Sequence, residues 1–288
     1  MKKPLFNKIC IVGVGLIGGS IGLGIKKRGL ANEVVGIAQH SSTLAVAKRR
    51  GAIKKGYLQR DLKLAVKEAD LIILSGPIPV IIEQIKVIGK YAKRNTAIID
   101  VGSTKAEIQL AGMKHIDRLM KRLASKAPKF VGCHPMAGSE QGGIENAKPD
   151  LFKNSLCFIT QKNADHRILE FWHSLGSKTI TIDPTHHDLI VARISHLPHI
   201  LSFALFQDFP VNKVPVLNPG VRGYANLARI SRSEAALWSG ILISNGRVLQ
   251  NVLSSFQKKL EKWKMAIRKG DARTLKTYIR QANKRSYV

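Results

Sequence analysis

Acidic residues are scarce in this chain. Nineteen Asp and Glu stand against 47 Lys and Arg in 288 residues, a formal net charge of +28. Such a balance raises nucleic acid as a partner. The charge is spread along the chain, however, with enrichment over 258–288, and no recognition helix, zinc finger or aromatic RNA-binding signature accompanies it. Most of it reads as a solvated face whose positive field attracts an anionic cofactor and substrate. Cysteine is also scarce. Cys10, Cys133 and Cys157 are scattered and odd in number, which reads as buried reduced thiols. No apolar run approaches about 18 residues, so no transmembrane helix is expected. Met1-Lys2-Lys3-Pro4 leads straight into a strand pattern, which leaves no room for a signal peptide and points to the cytoplasm. Internal repeats and low-complexity tracts are absent.

What is present centres on residues 8–20. Ile9, Ile11 and Val12 suit a strand buried on both faces, and Gly13, Gly15 and Gly18 follow with G-x-G-x-x-G spacing. Gly13 permits a tight turn, Gly15 lets a pyrophosphate approach the backbone, and Gly18 lets the next helix pack against the strand. Ile17, Ile21 and Ile25 recur at helical spacing, with Lys26, Lys27, Arg28 and Gly29 as a C-terminal stop. A second strand pattern, Val34 to Ile37, completes the context that the motif requires for binding a dinucleotide, NAD or NADP. The second strand lacks the terminal acid that takes ribose hydroxyls in NAD enzymes; Ala38, Gln39 and His40 stand there instead, and this permits NADP.

Strand and helix patterns then alternate. Helices are expected over 42–50, 81–91 and 106–123, and strands over 71–74, 97–99 and 130–132, which predicts a parallel, doubly wound Rossmann-like α/β sheet. Leu156 to Thr160 and Thr179 to Ile182 read as two more strands. Beyond Asp183-Pro184 the pattern is helical: 186–206 with a kink at Pro198, then one long helix from Ser233 to about Ile267. The boundary divides a dinucleotide-binding domain, 1–183, from an all-helical domain, 184–288. Leu249, Val252, Phe256, Leu260, Trp263 and Ile267 form one apolar stripe, suited to an intrachain core or to a second subunit.

Ligands in such sheets bind beyond the carboxyl ends of the strands. The glycine turn with Leu16 and Ile17, Gln39-His40, Ser75-Gly76-Pro77, Ser103-Thr104-Lys105 and His134 all fall there. Leu16, Ile17, Gln39, His40, Ser75 and Pro77 therefore join the three glycines as cofactor-binding candidates. His134 is either a satisfied loop histidine or, beside a nicotinamide, a group able to accept a hydroxyl proton as hydride leaves. His186, His187, His196 and His199 cluster, yet H-x-x-H lacks the H-E-x-x-H context, so no metal site is expected.

Four segments occur in order: Val12 to Ser20, Asp100-Val101-Gly102-Ser103-Thr104-Lys105, His134-Pro135-Met136-Ala137-Gly138-Ser139-Glu140-Gln141-Gly142-Gly143, and Ser195-His196-Leu197-Pro198-His199. Together they resemble the prephenate/arogenate dehydrogenase family of tyrosine biosynthesis, across almost the whole chain. The resemblance implies oxidative decarboxylation of prephenate to 4-hydroxyphenylpyruvate, or alternatively of arogenate to tyrosine. It implies that His134 accepts or hydrogen-bonds the ring hydroxyl proton while Ser103 holds that hydroxyl and the nicotinamide. It places His196 and His199 in the substrate site, with Ser139 and Glu140 at its entrance and His187 and Asp188 orienting the pocket. The family's Gly-Phe-Arg-Asp-x-Thr-Arg motif is similar to Gly223-Tyr224-Ala225-Asn226-Leu227-Ala228-Arg229, which assigns Arg229 to a substrate carboxylate, with Arg222 as substitute. It also implies a homodimer through the helical domain. Competing readings are a hydroxyisobutyrate-type dehydrogenase and a nucleic-acid-associated protein with a vestigial cofactor fold.

Overall fold

The structure, a computed structural model, describes residues 3–117, 130–139, 141–162, 164–208 and 222–286. Eight strands form one sheet in the order β3-β2-β1-β4-β5-β6-β7-β8. They are β1 (Phe6–Val12), β2 (Ala31–Ala38), β3 (Lys55–Leu58), β4 (Leu71–Leu74), β5 (Ala97–Asp100), β6 (Phe130–Pro135), β7 (Leu156–Ile159) and β8 (Lys178–Thr181). Helices α1 (Leu16–Arg28), α2 (Ser41–Arg50), α3 (Leu62–Val66), α4 (Ile78–Ile88), α5 (Ala106–Gly112) and α6 (His166–Ser174) cover both faces. Alternation assigns the core: Ile9, Ile11, Leu71 and Ile73 pack on one side, and Cys10, Val12, Ile72 and Leu74 on the other. All three cysteines are buried free thiols.

The first six strands are parallel, but β7 runs antiparallel to β6, with Cys133 opposite Ile159 and Pro135 opposite Cys157. This corrects the all-parallel expectation. Among the described residues between Pro135 and Leu156 the chain forms one short 3-10 turn, Ile144–Asn146, and not the α-helix that usually carries a chain back to a parallel strand. Strand β8 then pairs parallel with β7.

In the helical half, Asp183 caps α7 (Pro184–Val191) by accepting from the Thr185 and His186 amides. A π-helical turn, Ala192–His196, leads into α8 (Leu197–Asp208). The expected disturbance at Pro198 thus takes the form of a widened turn before it, where proline, lacking an N–H, withdraws one bond from the helical ladder. Helices α9 (Arg222–Ser231), α10 (Ala235–Ser244), α11 (Gly246–Arg268) and α12 (Ala272–Ser286) follow. The single helix expected over Ser233 to Ile267 is two, because Asn245 leaves helical geometry between α10 and α11. The helix expected over 106–123 is α5 followed by a π turn, Met113–Asp117; its remainder lies outside the described residues.

Two further features concern the helical half. The apolar stripe of α11 divides: Leu249 and Val252 pack with Ala192, whereas Leu260 and Ile267 are exposed. The rod Pro184–Gln207 is long and apolar enough, by length and composition, to cross a membrane. Histidine, aspartate and serine residues interrupt it, so no unbroken apolar run within it approaches that length. Its buried polar residues His187, Asp188 and His196 are nevertheless hydrogen-bonded into the protein, as in a helix packed on polar neighbours.

Candidate active site

Parallel pairing from β2 through β6 brings the glycine turn, Ser75–Pro77, Ser103–Lys105 and His134 to one edge of the sheet. Gly13 has φ +102°, and a Cβ there would meet the Ser75 backbone at 2.9 Å. A Cβ on Gly18 would strike the Gly13 carbonyl. Gly15 differs: nothing lies within 4 Å of a Cβ built on it. The turn is therefore closed beneath and open above. Helix α1 starts at Leu16 with no side-chain cap and no acid in its first turn. Half-buried Leu16 and Ile17 lie in that turn, whose amides have no partner within the helix. This shape and polarity fit a pyrophosphate. The Ser75 hydroxyl donates to the Gly13 carbonyl at 2.7 Å and braces the turn from below. Pro77 caps α4, and Gln39 and His40 are exposed where β2 meets α2.

Ser103 is half-buried between two constrained neighbours. Asp100 accepts from the Gly102 amide at 2.8 Å and forms a fully buried ion pair with Lys105. The Lys105 and Ala106 amides donate to Asp188 Oδ1 and Oδ2 at 2.7 and 2.9 Å. Asp188, from α7, thus ties the helical half to the end of β5.

The same carboxylate anchors the histidines. His187 Nδ1 lies 2.8 Å from Asp188 Oδ1, and His187 Nε2 lies 2.9 Å from His134 Nδ1. The two rings meet edge to face, and Phe158 closes on His187 from another side. Burial first, then the charges of His187, Lys105 and His196, hold His134 well below the ordinary histidine range. Neutral at pH 7, its imidazole is able to accept a proton.

Asn245, at the α10–α11 break, donates through Nδ2 to the Asp188 carbonyl at 2.9 Å and approaches His196 Nδ1 at 3.2 Å. An amide nitrogen only donates, so His196 Nδ1 accepts and its proton sits on Nε2. His199 Nδ1 donates to the Ser195 carbonyl at 2.8 Å, and its ring stacks on Trp238 with centroids 3.5 Å apart. Trp238 also meets His196 edge-on. Arg229 is exposed on α9, near enough for its charge to lower His199, on which burial has the larger effect. The Ser202 hydroxyl fixes α9 to α8 by donating to the Leu227 carbonyl. Ser139 is exposed and accepts from the Gln141 amide at 3.3 Å. Glu140 and the Arg222 side chain lie outside the described residues.

Asn245 and Trp238 were not singled out from the sequence. A lone Asn within an apolar helical pattern, four residues before the α11 core position Leu249, was the available signal for the first. Burial lowers His196 to about 4 from its ordinary 6.5. The folded state resists a proton that the unfolded chain accepts, so the associated stability is complete above pH 6.5 and is lost on acidification toward pH 4. Lowering the pH from 7 to 5 is expected to cost about 2 kcal/mol through this residue. Urea unfolding of the parent and of His196→Gln at both pH values measures this. Equal losses in the two proteins would exclude His196 as the source.

Residues 21–181 match the family described as "Prephenate dehydrogenase, nucleotide-binding domain", and residues 183–281 match "Prephenate dehydrogenase, dimerization domain". The chain is 32% identical over 282 residues to a prephenate dehydrogenase of Lactococcus lactis subsp. cremoris (strain MG1363), covering 96% of this chain and 76% of that one. Its fold is similar to that of A. aeolicus prephenate dehydrogenase in complex with hydroxyphenyl propionate and NAD+, with TM-score 0.83 and 24% identity over 97% of this chain and 96% of that one. Synechocystis arogenate dehydrogenase is similar at TM-score 0.73 and 27% identity, over 98% of this chain and 100% of that one.

Proposed function

Because the chain belongs to the prephenate dehydrogenase family, we propose that it converts prephenate to 4-hydroxyphenylpyruvate and carbon dioxide in tyrosine biosynthesis, using NAD or NADP. The observation that carries this reading is a buried, neutral His134 at the edge of the sheet that also bears the open glycine turn. Residues 1–183 bind the cofactor, through Gly13, Gly15, Leu16, Ile17 and Gly18 with Gln39, His40, Ser75 and Pro77 toward its ends. Residues 184–288 bind substrate and assemble the dimer. Bound NAD or NADP supplies the acceptor for the ring hydrogen and its electron pair.

His134 accepts the ring hydroxyl proton as the carbonyl develops, and Ser103 holds the same hydroxyl. Loss of the ring carboxylate as carbon dioxide leaves an electron pair that aromatises the ring. The resulting phenolate takes the proton back. His196 donates from Nε2, and His199 and Arg229 face the substrate carboxylates, with Ser139 and Glu140 at the entrance. Positioning and charge stabilisation suffice, since aromatisation drives the reaction.

Steady-state turnover with prephenate and arogenate, each with NAD and NADP, tests the assignment. Turnover of prephenate supports it, exclusive turnover of arogenate replaces the substrate, and no turnover of either removes the reading. The missing acid at the end of β2 leaves both cofactors open, because no carboxylate repels a 2′-phosphate. Arg229→Ala is expected to raise KM about tenfold or more, as one charged partner of a carboxylate is lost. An unchanged KM would detach Arg229 from the substrate.

We assign the exposed apolar residues of the helical half to a homodimer rather than to a membrane, and the chain to the cytoplasm, without a specific nucleic-acid partner. The dimerization-domain match supports this. So does the exposure of Ile194, Leu205, Ile243, Leu260 and Ile267, apolar surface that a two-fold partner would cover. Sedimentation of detergent-free active enzyme at micromolar concentration should give a dimer. An active monomer would overturn this assignment.

A further inference from the structure

The contacts behind His134 determine where every proton sits. Asp188 already accepts from two backbone amides, Lys105 on Oδ1 and Ala106 on Oδ2, so toward His187 it is again the acceptor. His187 therefore donates through Nδ1, at 2.8 Å, and its Nε2 carries the lone pair. The 2.9 Å contact between His187 Nε2 and His134 Nδ1 needs one hydrogen, and only His134 has it to give. That leaves His134 Nε2 unprotonated. His187 is fully buried, with Phe158 packed edge-on against it. Its ring has no surface to present to a ligand and touches the chemistry only through His134.

We propose that His187 is a positioning and proton-holding residue. It fixes His134 with Nε2 as the base, and it takes the His134 Nδ1 proton when Nε2 accepts the substrate hydroxyl proton, Asp188 balancing the charge. This rests on the reading of His134 as the base. The proton count balances. Before transfer each imidazole carries one proton and Asp188 is a carboxylate. Afterwards His134 is neutral with its proton on Nε2, and His187 carries two protons beside the unchanged carboxylate. Both shifts reverse when the phenolate recovers its proton, so the relay ends each turnover as it began. A buried imidazolium is costly alone. Here the positive charge moves one ring deeper, to the ring that directly contacts the anion.

The test is His187→Gln in the full-length enzyme, alone and combined with His134→Asn. Glutamine can accept from His134 and donate to Asp188 but cannot carry the proton. We expect kcat to fall tenfold or more, with KM and the cofactor dissociation constant within threefold. On the His134→Asn background the same change should cost less than a further twofold, since a relay without its base has nothing to hold. A kcat within threefold of the parent, or losses that multiply, would overturn the relay. Near-normal turnover in His134→Asn alone would instead remove the base, which is a separate failure. Ring nitrogen-15 spectra of the parent protein without ligands give a readout independent of turnover and of any variant's folding. Both His134 and His187 are expected as Nδ1–H tautomers, and a neutral His187 protonated on Nε2 would reverse the direction proposed.

Discussion

His134→Asn is expected to lower kcat by at least about 100-fold with little change in cofactor affinity, the scale of a lost acid–base group. Asparagine occupies similar space and can still meet His187, so the variant removes proton acceptance while the scaffold stays. Cofactor affinity should hold because the glycine turn rests on β1 and β4 and is braced by the Ser75 hydroxyl, none of which involves His134. Steady-state kinetics together with cofactor titration separate the two quantities. A kcat near that of the parent would take the reaction away from His134. A joint loss of turnover and cofactor binding would mean that the substitution disturbed the sheet edge as a whole.

Lys105→Met is expected to destabilise the fold by about 3–5 kcal/mol, the usual loss when one partner of a buried ion pair is removed. Both side chains of the Lys105–Asp100 pair are fully buried, so the stranded carboxylate finds no water. Most of the loss is the desolvation of Asp100 rather than the value of the pair. Asp100→Asn combined with Lys105→Met should therefore recover a large part of it. Urea unfolding of the single and double variants decides the matter. A single-variant loss below about 1 kcal/mol would show that the site relaxes or admits solvent, contrary to this account. The substitution also acts near the chemistry, because the Lys105 charge is one of those that keep His134 unprotonated.

Much of this protein follows from local rules that act along the chain. The apolar alternation of Ile9 to Val12, the glycine spacing after it and the basic last turn of α1 specify a strand, turn and helix without reference to distant residues. The polar clusters at successive strand ends likewise marked one edge of the sheet, and His134 with it. What the order of residues could not determine was anything set by a partner remote in sequence. The reversal of β7 depends on how the chain returns from Pro135, not on the strand's own composition. The break at Asn245 exists because its amide serves the Asp188 carbonyl and His196 across 57 and 49 residues, and helical periodicity carries no trace of that bond. The protonation pattern of the site is the clearest case. His134, His187 and Asp188 are recognisable as residue types, but which nitrogen is the base follows only once the Lys105 and Ala106 amides are seen to occupy the carboxylate. Hydrogen-bond direction depends on all the neighbours of an atom together, and those neighbours are assembled only by the tertiary fold.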